Sequence, residues 1–192
     1  MIVVSIPRSG ATRFAMDLAE KKGIPFAGEL SSRMCLDYDL HSIIKNQVHE
    51  AGDGCQPMYT SSEYMNTLMS NPISLVWLAN DYNDVSPHLR EAVFFLRKNY
   101  MNCFYSMQEV FDAHRKTDNY PWWVGLWEPY VRNLSLILDW NLQIPSEITW
   151  FEDYYDHSRD YNIDKGLVNQ ELSPWLEEYK IDKKMQELIK KG

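Results

Sequence analysis

Apolar residues are arranged along the chain in short runs and longer helical stripes, separated by polar breaks. Residues 2–6, IVVSI, are a β-branched-rich run of the kind that forms a strand buried on both faces of a parallel sheet. The polar stretch Pro7-Arg8-Ser9-Gly10 follows at once. From there Ala11, Phe14, Ala15, Leu18 and Ala19 recur at helical spacing up to Gly23, a suitable C′ glycine, with Lys21 and Lys22 in the last turn where a helix favours cations. Further strands are predicted over residues 24–27 (IPFA), 73–78 (ISLVWL), 92–99 (AVFFLRKN, ending on two cations) and 147–153 (EITWFED). Helices are predicted around residues 40–48 and 61–69, from residue 100 to 116 with Phe104, Met107, Val110 and Phe111 as its buried stripe, and over 122–142. The last of these carries Trp123, Leu126, Trp127, Tyr130, Val131, Leu134 and Leu138 on one face. Residues 172–191 read as one or two amphipathic helices with a basic end.

Strands alternating with helices predict an α/β fold: a P-loop-like parallel sheet of about four to five strands with helices on both faces. The 192 residues suffice for one domain with a genuine core, so residues 1–192 are expected to form a single unit. With 45% hydrophobic and 14% aromatic residues, the composition is that of a globular chain. The net charge of −8 argues against nucleic acid or an anionic membrane as general partners, since both are held by basic faces. No apolar run approaches the roughly 20 residues of a bilayer span, and residues 2–6 are too few for a signal-peptide core. Cys35, Cys55 and Cys103 are odd in number and lack CxxC spacing, which suggests neither a disulfide framework nor a zinc site. A cytoplasmic protein is the expectation.

The chemistry concentrates at the first loop. A strand, a tight polar loop and a helix in that order direct the first unbonded N–H groups of the helix into the loop, where anions bind. Gly10 lets the backbone come close to an oxyanion, Arg8 offers a forked pair of charged donors, and Ser9 and Thr12 add hydroxyls. A phosphate or sulfate is the expected ligand. The nucleotide-kinase loop GxxxxGK[ST] is not matched, because its first glycine and its lysine are both missing.

The six residues PRSGAT resemble the 5′-phosphosulfate loop of sulfotransferases, P-[KR]-[ST]-G-[ST]-[TN], which lies directly after the first strand; Ala11 departs from the pattern. FLRKNYMNCFYS resembles a second landmark of that family, a strand ending in a basic residue with a serine eight or nine positions later. Trp150-Phe151-Glu152-Asp153 is similar to its late strand ending in an acidic pair, which is structural in the family. The resemblance implies 3′-phosphoadenosine 5′-phosphosulfate as donor, with no metal. Arg8, Ser9, Gly10, Ala11, Thr12 and Arg13 would surround its 5′ end, and Arg97 with Ser106 would hold the 3′-phosphate. Between Arg97 and Lys98 the guanidinium is preferred for its two-point geometry. In the glutamate-using branch a carboxylate after the second strand takes the acceptor's proton, and Glu29 stands at that place; His41 and His88 are the substitutes. The implied partner is a small-molecule or glycan acceptor.

Two other classes remain open at this point. A phosphotransferase or nucleotide hydrolase would want an acidic Mg²⁺ ligand at a strand end, for which Asp81 is the candidate. A nucleotide-binding protein without catalysis would keep the loop, and Ala11 points that way.

Overall fold

The computed structural model describes residues 2–23, 75–78, 89–90, 92–117, 124–144, 146–156 and 159–191. The strand expected at 24–27, the helices expected around 40–48 and 61–69, and Glu29, His41, Asp81 and His88 lie outside the described residues.

Four strands, β1 (Ile2–Ser5), β2 (Leu75–Leu78), β3 (Ala92–Leu96) and β4 (Ile148–Trp150), form a sheet of order β2-β1-β3-β4 in which every pairing is parallel. Ile2 sits opposite Leu75 on one side and Ala92 on the other, and Phe94 opposite Ile148. The helices are α1 (Ala11–Lys22), α2 (Met101–Arg115), α3 (Glu128–Gln143), α4 (Phe151–Tyr154), α5 (Lys165–Glu178) and α6 (Ile181–Lys191). The chain is therefore α/β. None of the described helices is long and apolar enough to cross a membrane.

Because successive strand side chains point to opposite faces, β1 and β3 feed two separate cores. Val3 and Phe95 pack with Ala11, Phe14, Ala15 and Ala19 of α1 and with Phe151. Val4, Phe94 and Leu96 pack on the other side with Cys103, Phe104, Met107 and Phe111 of α2, and with α3, α5 and α6 behind them. The central strands are apolar on both faces for this reason, and helices cover both.

Four boundaries differ from the sequence reading. Strand β3 stops at Leu96, so Arg97, Lys98 and Asn99 form a turn. Opposite it, β4 covers only Ile148–Trp150, and Phe151-Glu152-Asp153 begins a helical turn. Pairing ends with Leu96 against Trp150, leaving no ladder to extend the next residues, and Phe151 turns into the α1-side core instead. Helix α3 starts at Glu128 rather than 122: Gly125 takes a left-handed φ of 88°, and Pro129 occupies the first helical turn, where a missing N–H costs nothing. Leu126 consequently precedes the helix and is exposed, while Trp123 lies outside the described residues. The C-terminal region is two helices, beginning seven residues before 172. The Asp164 carboxylate caps α5 by accepting the Leu167 N–H at 3.0 Å, and Lys180, with φ 54°, separates α5 from α6.

Candidate anion-binding site

In the order β2-β1-β3-β4 the helix after β1 covers one face of the sheet and the helix after β3 covers the other. The chain leaves the adjacent strands β1 and β3 toward opposite faces of the sheet, and in open parallel sheets the crevice that takes a ligand lies at such a point, outside the carboxyl ends of the strands. Pro7-Arg8-Ser9-Gly10 follows β1 there. Arg97-Lys98-Asn99 follows β3.

Arg8 has φ 65° and Gly10 φ 90°, while Ser9 between them is not left-handed. A left-handed residue followed by a right-handed one is the backbone pattern in which successive N–H groups can converge on an anion, and the two positive φ angles flanking Ser9 suit such a nest. Gly10 is the N-cap of α1, with no side chain capping it, and its carbonyl receives the first helical bond, from the Phe14 N–H at 3.2 Å. Of the first four N–H groups of the helix, that of Ala11 goes to Ser9 Oγ at 3.3 Å. Those of Gly10, Thr12 and Arg13 have no hydrogen-bond acceptor among the described residues, and they carry the positive end of the α1 dipole.

Two arginines close the cluster. Arg8 Nε donates to Ser106 Oγ at 3.1 Å, joining residues 98 positions apart, and Arg97 Nε donates to the Ser9 carbonyl at 3.1 Å, across 88 positions. The Arg97 guanidinium also lies over the Phe151 ring, 3.7 Å from its centroid. Neither arginine pairs with a carboxylate among the described residues. Among the described residues each donates hydrogen bonds through Nε alone, so no described acceptor takes the terminal N–H groups of either guanidinium. A local positive site thus exists on a chain of net charge −8.

The other expected residues separate into groups. Thr12 is half-buried in the first turn of α1. Ala11 is buried, and its backbone donor is spent on Ser9. Arg13 lies over the Tyr155 ring, 5.2 Å from its centroid, so no described contact brings it to the cluster. Burial, together with a hydrogen bond donated to Asp17, pushes the Tyr155 hydroxyl above the ordinary tyrosine range, so it stays protonated there. Ser9 differs most from expectation: it is 1% exposed, and its hydroxyl faces inward to Ser5, 2.6 Å away, not outward to a ligand. The alternation along β1 had already sent Val3 and Ser5 to the interior of that face.

Lys98 serves elsewhere. Its Nζ donates to Asp153 Oδ1 at 2.7 Å, while the Glu152 carboxylate accepts the Lys98 and Asn99 N–H groups at 2.9 and 3.2 Å. The acidic pair therefore fixes the turn that carries Arg97. Cys103, fully enclosed below the cluster, has its thiol pushed up to about 12 by burial, with Glu152 adding to the rise and the charges of Arg97 and Arg8 opposing it. It is no nucleophile at neutral pH.

Sequence reasoning passed over Ser5 and Phe151. The signal for Ser5 was present, a single hydroxyl in an otherwise apolar strand; Phe151 gave none, since one aromatic at a strand end has many explanations. No family model, curated protein or solved structure matches the chain.

Proposed function

We propose that this chain is a sulfotransferase with a P-loop-like layout, moving a sulfuryl group from 3′-phosphoadenosine 5′-phosphosulfate to a hydroxyl of a small-molecule or glycan acceptor. One observation supports this reading above the rest. The two stretches that resemble sulfotransferase landmarks lie far apart in sequence, yet Arg8 touches Ser106 and Arg97 touches Ser9 at the crevice.

The residues fit a ligand with two anionic ends. The nest N–H groups, Arg8 and Thr12 hold the 5′-phosphosulfate, and Arg97 with Ser106 holds the 3′-phosphate; Ser106 accepts from Arg8 and still has its own proton to donate. When bound, the donor supplies an activated sulfuryl group whose bridging oxygen leaves with the 5′-phosphate. In such a transfer charge spreads over the sulfuryl oxygens and the leaving oxygen, and donors fixed in advance stabilise it there. The cluster offers donors of this kind, because backbone geometry and Nε bonds set their directions before any ligand arrives. Glu29 takes the acceptor's proton in this reading.

Calorimetric titration with adenosine 3′,5′-bisphosphate, beside ATP plus Mg²⁺, tests the proposal. Binding of the bisphosphate in preference to ATP is expected; preference for ATP favours a phosphotransferase, and binding of neither ends the reading. Arg97→Ala should weaken the bisphosphate about 30-fold, the scale of a charged hydrogen bond. Adenosine 5′-phosphosulfate, which has no 3′-phosphate, should lose only what the missing bond to the Ser9 carbonyl costs the loop. Equal losses for the two ligands remove Arg97 from the 3′-phosphate.

A further inference from the structure

We infer that the Ser5 hydroxyl is a positioning group for the anion nest, acting through Ser9. The inference rests on the reading of residues 7–13 as an oxyanion site, and it concerns a residue that reaches no ligand itself, since Ser5 is 0% exposed.

Ser5 Oγ lies within hydrogen-bond distance of two oxygens, the Phe95 carbonyl and Ser9 Oγ. A serine hydroxyl has one proton, and a carbonyl oxygen can only accept. Ser5 must therefore donate to Phe95, and Ser9 must donate to Ser5. Ser9 Oγ in turn accepts the Ala11 N–H. The direction of the chain of bonds is thereby fixed: the Ala11 N–H to Ser9, Ser9 to Ser5, Ser5 to the carbonyl of β3. Both hydroxyls are buried, and each finds its partner in the other.

This chain places Ser9, and Ser9 places the nest. Its side chain is tied to β1 and β3 through Ser5, and its carbonyl receives Arg97 Nε. With both groups of Ser9 held, Arg8 and Gly10 on either side are kept at positive φ, which for Arg8 is an uncommon conformation. Without the Ser5 oxygen, the Ser9 hydroxyl has lost its acceptor in a closed interior. The loop then relaxes toward conformations in which Arg8 leaves the left-handed region and the N–H groups no longer converge.

The test compares Ser5→Thr with Ser5→Val, side chains of nearly one shape that differ in the hydroxyl. Affinities for adenosine 3′,5′-bisphosphate and for inorganic pyrophosphate are measured at a temperature where thermal scans show every variant folded. Ser5→Thr should stay within about threefold of the native protein. Ser5→Val should bind both probes about tenfold more weakly, near the low end of what an unpaired buried hydroxyl costs. Equal behaviour of the two variants overturns the inference. If a branched residue is not accepted at this packed position, Ser5→Ala and Ser9→Ala take its place. Their losses should be similar and the double variant no weaker than either, as for two members of one bonded chain; losses that multiply overturn it. Pyrophosphate binding that depends on the hydroxyl, without bisphosphate binding, keeps the inference and removes the sulfotransferase reading. Tight bisphosphate binding that ignores the hydroxyl does the reverse. A native protein that binds neither probe removes both.

Discussion

The two sides of the crevice are built by different means. The loop after β1 is set from within: two left-handed residues, a pair of buried hydroxyls and a glycine pressed against an aromatic ring hold it. The turn after β3 is set from outside, by the carboxylates of Glu152 and Asp153, both of which are exposed. Bonds out of water resist competition from solvent, and bonds at the surface do not. The side that presents backbone donors to a ligand is thus the stiffer one, and the side that presents a long cationic side chain is the more forgiving.

The largest effect expected from breaking this contrast is at Gly10. Its φ of 90° is unfavourable for any residue with a Cβ, and a Cβ placed there meets Phe151 Cε2 at 3.1 Å and Cδ2 at 3.3 Å. Phe151 cannot withdraw freely, because it packs edge-on to Phe95 with centroids 6.1 Å apart and lies beneath the Arg97 guanidinium. Gly10→Ala should destabilise by about 2–4 kcal/mol, combining left-handed strain with overpacking. A urea titration reads this as a lower midpoint at unchanged slope. Adding Phe151→Leu should recover part of the loss by relieving the clash while leaving the strain. A midpoint for Gly10→Ala close to the native one would mean that the loop is no stiffer than the turn.

How far the sequence exposed this arrangement depends on the range of the interactions involved. Strands β1 and β3 and helix α1 were readable because each is an apolar pattern complete in itself. The tight connection from β1 to α1 was readable because strand, glycine and helix follow one another within a few residues. Strand ends were not: where β3 and β4 stop depends on their mutual register, and register is a property of the pair. The choice between Arg97 and Lys98 rested on guanidinium geometry alone. In the fold Arg97 reaches the Ser9 carbonyl while Asp153 takes Lys98, a division that depends on β4 lying beside β3. Ser9 was read as facing a ligand because loop position says nothing about which way a side chain turns. Its inward orientation needed Ser5 and Phe95, the latter on another strand.

A smaller effect is expected at Glu152. Its two oxygens accept two successive N–H groups, and both would be open to water without it. Glu152→Ala should cost about 1 kcal/mol, since water replaces the lost acceptor in part. Differential scanning calorimetry should show a melting temperature lower by a few degrees, as expected for a domain of this size. Because this carboxylate orients the turn and not the nest, pyrophosphate affinity should stay near the native value. A loss of pyrophosphate binding as large as that expected of Ser5→Val would mean that the two sides are one mechanical unit.

The smallest effect belongs to the Lys98–Asp153 pair, and it sharpens the comparison because Lys98 neighbours a residue assigned a central role. Lys98 and Asp153 are 38% and 56% exposed, and their contact of 2.7 Å is short. In water such a pair is worth roughly 0.5 kcal/mol or less, and salt screens it. Lys98→Ala should therefore change stability by no more than that at low salt and by nothing measurable at 1 M salt. Bisphosphate affinity should stay within about twofold of native, beside the far larger loss expected of Arg97→Ala. The two substitutions each remove one positive charge from adjacent positions, so general electrostatic attraction would make them alike. A difference between them isolates what direction contributes: Arg97 is turned to the crevice by the Ser9 carbonyl and the Phe151 ring, and Lys98 is turned away by Asp153.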